Sequence, residues 1–139
     1  MDIHGKVLSG AWSAKTNDVN QWIAGTFLQS KQIESVTTQG REDSDQWVKS
    51  YTLETSSNGN EWTPVDSGRV YTGNSDRNTK RVNYLPYVTV ATSIRLRPVT
   101  WNGHISMRWA VDGCDYIGTS LKIHKKLYLH LFCNFVISL

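Results

Sequence analysis

Apolar and polar residues alternate along most of this chain in short runs. Ile33-Glu34-Ser35-Val36-Thr37-Thr38 is β-branched and alternating, which predicts a strand. From Trp47 to Thr55 the alternation predicts a longer one. Trp47, Lys49, Tyr51, Leu53 and Thr55 would share one face; Val48, Ser50, Thr52 and Glu54 would share the other. Ser57-Asn58-Gly59-Asn60 signals a hairpin turn, because Asn-Gly accepts positive φ. Glu61-Trp62-Thr63 would be the returning strand, ended by Pro64. Residues 71–79 are polar and turn-rich and predict a long loop. Ser93–Pro98 and His104–Val111 alternate again. The body shows neither a convincing amphipathic helix nor an internal repeat, so the expectation is an all-β sandwich or barrel.

The last residues break the pattern. Leu127–Leu139 is almost wholly apolar and follows Lys125-Lys126. It is short of the roughly 20 residues needed to cross a bilayer. An extra edge strand, an interfacial segment, or translated non-coding sequence would each fit it. The division expected is one domain over 1–118 and a distinct tail over 119–139.

Composition is globular, with 39% hydrophobic and 19% charged residues. The net charge of +3 comes from the tail. Lys122, Lys125 and Lys126 lie there with no acid from Thr119 onward, leaving twelve basic and twelve acidic residues in 1–118. A neutral body argues against nucleic acid as partner, since phosphate neutralisation needs a basic stripe. Cys114 and Cys133 are too few for a disulfide framework and form no metal-ligand spacing. Met1–Lys6 has no basic stretch running into an apolar one, so no signal peptide is read there.

Candidate chemistry concentrates in one short segment. Arg41-Glu42-Asp43-Ser44-Asp45 places one cation and three carboxylates just before Trp47. Carboxylates accept from sugar hydroxyls, Arg donates, and an aromatic ring stacks on a pyranose C–H face. A solvated charged turn is the alternative. Trp47 could serve the core or the ligand. Trp12, Trp22 and Trp62 fall in strand patterns and are expected in the core; so is Trp101, although it sits in a turn. Asn74, Asp76 and Asn78 offer oxygens to calcium, but lack EF-hand spacing. Arg95, Arg97 and Arg108 alternate along strands and are expected to pair with Asp112 or Glu54. His4, His104, His124 and His130 have no catalytic motif around them, and no Walker, Gly-x-Ser-x-Gly or His-Glu-x-x-His sequence occurs. Asp43 and Asp45 lie too close in one turn for opposed glycosidase geometry. A binding module is expected, not an enzyme.

Five stretches in order resemble the discoidin, or coagulation factor V/VIII type C, family across about residues 8–116. They are Gly10-Ala11-Trp12 with Asn20–Ile23; Val36–Arg41 with Asp45–Tyr51; Ser57–Trp62; Thr72–Thr79; and Ile94–Pro98 with Thr100–Asn102, Ile105–Arg108 and Asp112–Cys114. The wording of Gln39–Val48 and Thr100–Ser106 resembles the slime-mould discoidin lectins in particular. Arg41-Glu42-Asp43 stands where some of those show Arg-Gly-Asp, so integrin-like recognition is not supported.

The resemblance implies a jelly-roll β-sandwich of about eight strands, galactose-binding-domain-like, with ligand loops at one end. It places one ligand loop at Arg41–Asp45 and another at His4–Ser9. The candidate site is therefore Arg41, Glu42, Asp43, Asp45 and Trp47 with His4 and Lys6. It implies glycans as partners, with acidic phospholipids or extracellular proteins as alternatives. It also implies a homo-oligomer and an extracellular or cell-surface location. The family pattern begins well upstream, with a Cys that partners the one at Cys114. Its common acidic residue after the Trp22 strand is replaced near Thr26. The expectation is an N-terminally incomplete domain with an unpaired edge.

Overall fold

The computed structural model describes residues 5–8, 10–116 and 135–138, giving backbone alone for 5–8 and 135–138. Nine strands are described: β1 Gly5–Leu8, β2 Ala11–Ala14, β3 Ile23–Gln39, β4 Trp47–Ser56, β5 Thr63–Pro64, β6 Tyr71–Thr72, β7 Arg81–Asn102, β8 Ser106–Asp115 and β9 Phe135–Ser138. All pairings are antiparallel, in the order β1-β2-β8-β3-β7-β4-β5, with β6 on β4 and β9 on β8.

This order becomes two layers because the long β3–β7 ribbon folds over on itself. Ile23–Thr26 pairs with Leu96–Ser93, and pairing resumes only at Lys31 opposite Ala91. Four residues of β3 thus face one of β7, and such excess bends a ribbon sharply. On one side of the fold lie β2, β8 and the later half of β3. On the other lie β4, β5 and the later half of β7. This is the jelly-roll sandwich expected from the sequence. Ile33, Val36, Trp109 and Val111 from the first layer meet Ile23, Tyr51, Leu53, Ile94 and Leu96 from the second, all buried. Trp12 is fully buried among them.

The expected strands are present, but bulges switch their faces. In β4 the register slips on both sides of Ser50, so Val48 is buried with Tyr51 and Leu53 while Lys49 is exposed. In β3 a slip at Glu34 moves the inward set from Ile33 to Val36 and Thr38. The returning strand is Thr63–Pro64, not Glu61–Thr63. Pro64 lies within it because β5 is an edge strand, where a missing N–H costs little. The Asn58-Gly59 turn is wider than a two-residue hairpin. Only Gly59 has positive φ (78°), and Asn58 Oδ1 accepts from the backbone N–H of Asn60 and Glu61, both at 2.9 Å.

The His4–Ser9 segment was expected as a loop. His4 and Ser9 lie outside the described residues, but Gly5–Leu8 is a strand paired with Ala11–Ala14. Gly10, with φ of 71°, takes the reversal between them. At the other end of the chain, β9 is an edge strand on β8, with Gly113 opposite Phe135. Cys114 is buried and disulfide-bonded; Cys133 lies outside the described residues.

Candidate functional site

The Gly40–Gln46 loop joins the end of β3 to the start of β4. It is closed by the Arg41 N–H donating to the Gln46 carbonyl, at 2.9 Å. Its charges pair locally. Arg41 donates to Asp43 through Nε (2.6 Å to Oδ1) and Nη2 (3.3 Å to Oδ2), and through Nη1 to Gln46 Oε1 at 3.2 Å. Asp45 accepts from Arg77 Nε at 2.7 Å, and this guanidinium holds the Asp45 carboxyl below its usual range. Glu42 is exposed, and Trp47 at the base of the loop is half-buried.

The loop rests on two neighbours. A Cβ on Gly40 would lie 2.7 Å from the Asp76 carbonyl oxygen and 3.0 Å from Trp47 Cβ, so only glycine admits this contact. Arg108, from β8, donates to the carbonyls of Gly40 and Arg77 and to Asn78 Oδ1, each at 2.8 Å. Asp76 accepts from the N–H of Asn78 (2.8 Å) and Thr79 (2.7 Å) and from the Thr79 hydroxyl (2.6 Å), which lowers its pKa. Asn102 Nδ2 holds the Asp45 carbonyl from the third loop at 2.8 Å. Three loops thus form one braced surface at one end of the sandwich.

β1 reaches the same end through the register. Lys6 is opposite Ser13, and Ser13 is opposite Ser106. Ser106 Oγ then donates to Gln46 Oε1 at 3.0 Å, the oxygen that Arg41 also uses. The backbone of Lys6 therefore lies in the row that ends at the candidate loop; its side chain is not described.

Several expectations are corrected. Trp22 and Trp62 are not core residues. Both are half-buried, with the Arg95 guanidinium carbon 5.7 Å from one ring centroid and 4.3 Å from the other. Trp101, the penultimate residue of β7, is half-buried against the core. Arg95 and Arg97 do reach Glu54, at 2.6 and 3.7 Å. Arg108 instead takes the carbonyls above, and Asp112 accepts from Ser35 at 3.2 Å. Two of the side chains considered for calcium have their oxygens engaged within the fold: Asp76 caps its loop, and Asn78 Oδ1 accepts from Arg108. Asn74 Nδ2 donates to the Thr38 (3.0 Å) and Thr79 (2.8 Å) carbonyls, while its Oδ1 is buried without a hydrogen-bond partner. Among the described residues no three His, Cys, Asp or Glu side chains converge.

Sequence reasoning missed Gln46, Arg77, Arg108 and Asn102. Arg77, Arg108 and Asn102 serve the loop through contacts distant in the chain, and Gln46 ties it to Ser106 of β8; no local spacing announces these.

Comparison with known proteins agrees with this architecture. The family model for the F5/8 type C domain matches residues 2–111. Discoidin-2 of Dictyostelium discoideum is 38% identical over 102 residues, covering 73% of this chain and 39% of that protein. Coagulation factor V of Bos taurus is 33% identical over 122 residues, covering 83% of this chain and 5% of that protein. A solved structure of recombinant discoidin II of Dictyostelium discoideum superposes with a TM-score of 0.73 at 33% identity, over 80% of this chain and 44% of that one. The chain spans about two fifths of the length of the discoidins it matches.

Proposed function

Because the chain belongs to the F5/8 type C, or discoidin, domain family, we propose that it is a non-enzymatic glycan-binding or adhesion module that reads a galactose-type sugar with the Arg41–Gln46 end of its sandwich. The observation that carries this is the braced loop itself. Arg41, Asp43 and Asp45 are held in place before any ligand arrives, so little ordering remains to be done on binding. Glu42 and Asp43 accept from sugar hydroxyls, Arg41 donates, and the ring stacks on Trp47. His4 and Lys6 complete the proposed ligand set. Single-site sugar binding is weak, around millimolar or about −4 kcal/mol, and oligomers compensate by avidity. The intact protein therefore works as a homo-oligomer at a cell surface or outside the cell.

Acidic phospholipid is the second candidate. The local charge disfavours it: the loop carries three carboxylates, Glu42, Asp43 and Asp45, beside one cation of its own, Arg41. Retention on galactose-bearing agarose, beside sedimentation with phosphatidylserine vesicles, separates the two. Galactose-eluted retention is expected, weakened about tenfold by Glu42→Ala or Asp43→Ala. Vesicle pelleting that depends on phosphatidylserine and ignores free galactose would transfer the assignment to lipid.

A further inference from the structure

A second set of aromatic and polar groups lies at the far end of β4. The candidate loop enters β4 at Trp47, and the Ser57–Trp62 turn leaves it after Ser56. Ten residues of strand separate the two by about 30 Å. The turn folds over the outer face of the layer, where Trp22, just before β3, and Thr26 of β3 lie beside Arg95 of β7. Together they enclose an open cleft of about 470 Å³, within the range of small-molecule sites.

The chemistry of the cleft is specific. Arg95 forms part of its lining, over the ring of Trp62 at 4.3 Å and that of Trp22 at 5.7 Å. Its charge is met by Glu54, which accepts from Nε and Nη2 at 2.6 Å. The cleft is therefore not a trap for free anions. Around it, the exposed Thr26 hydroxyl accepts from Ser93 at 3.2 Å and keeps its own hydrogen to donate. Asn58 is exposed; its Oδ1 is taken by the N–H groups of Asn60 and Glu61, and its Nδ2, which donates to Glu61 at 3.3 Å, has a second hydrogen to offer. The Ser57 hydroxyl is exposed. Indole surfaces ringed by neutral donors and acceptors match an uncharged pyranose, with its apolar C–H face and rim of hydroxyls.

We propose that the Trp22–Arg95–Trp62 cleft is a second saccharide site, taking one uncharged pyranose ring, and independent of the Arg41–Gln46 end. One chain would then present sugar sites at opposite ends and could bridge two glycans without oligomerising.

The test is an NMR titration of the labelled chain with methyl β-galactopyranoside into the millimolar range. It follows the indole N–H signals of Trp22 and Trp62 and the amides of 57–59, beside the amides of 41–46. Saturable shifts in the cleft signals are expected. Trp62→Ala should weaken them tenfold or more, and Ser57→Ala, at an exposed turn position, about threefold. Neither should alter the response at 41–46. If Trp62→Ala loses spectral dispersion, Ser57→Ala decides. Cleft shifts without any response at 41–46 would sustain this site and refute the loop. Saturable shifts confined to 41–46 would overturn the second site alone. Cleft shifts that stay linear with sugar, or that ignore Ser57→Ala, would overturn it too, and silence at both ends would overturn both.

Discussion

Arg108 is the residue on which the candidate surface most depends, although it belongs to none of the loops it holds. Its three bonds tie Gly40 to Arg77 and Asn78. Arg108→Ala leaves two backbone carbonyls short of a charged donor, each such bond being worth about 1.5–3 kcal/mol. A loss of about 2 kcal/mol in chemical denaturation is expected, together with faster amide exchange in residues 40–46 and 76–79. Tyr51 carries a second residue-scale consequence. Burial pushes its phenol up to about 12, against 10.0 for a free tyrosine. Asn83 Nδ2 donates to its oxygen at 2.9 Å and Tyr71 stacks on it at 5.9 Å. Folding thus favours the protonated phenol. That contribution is complete below pH 10 and is withdrawn as pH rises towards 12. Stability measured across this window should fall in the wild type and fall less steeply in Tyr51→Phe. At this scale the sequence showed the loop's own charges plainly. It did not show Arg77 or Arg108, because their partners are carbonyls and side chains brought near only by the fold.

Among the elements, alternation located strands better than it assigned their faces. A strand was legible from Trp47 to Thr55 because β-branched and aromatic residues cluster there. The slips at Ser50 and Glu34 were not legible, since a bulge inserts one residue without changing residue type. Trp62 misled for a related reason. Its place in an apparent strand suggested core, whereas the Ser57–Trp62 turn is wide and lays the indole on the outer face against Arg95. That turn is built by side chains. Ser56 Oγ accepts from the N–H of Asn58 (3.3 Å) and Gly59 (2.8 Å), and Asn58 Oδ1 accepts from Asn60 and Glu61. Asn58→Ala removes the latter pair of bonds at an exposed site, where water replaces them in part. A loss of about 1 kcal/mol is expected, seen as a thermal midpoint lower by a few degrees. An unchanged midpoint would mean that Ser56 alone sets the turn.

For the whole molecule, the order of turn signals and strands narrowed the fold to an all-β sandwich or barrel, and the family resemblance supplied the jelly-roll sandwich. The fold of the β3–β7 ribbon makes two layers of one sheet and sends the β3–β4 and β7–β8 connections to the same end. That is why residues as distant as Arg41, Arg77 and Asn102 form one surface. The first half of β7 shows a different feature. Among the described residues only β3 pairs with Arg81–Ala91, and Val82, Tyr84, Tyr87 and Val88 there are exposed. Sugar binding at the braced loop end is the function proposed for this architecture. The most direct measurement is an amide chemical-shift map of the chain with and without excess galactose. A dispersed spectrum whose shifts include Arg41–Gln46, with Arg77 and Asn78 beside them, is the predicted result. A dispersed spectrum in which those amides stay fixed at saturating galactose would contradict it.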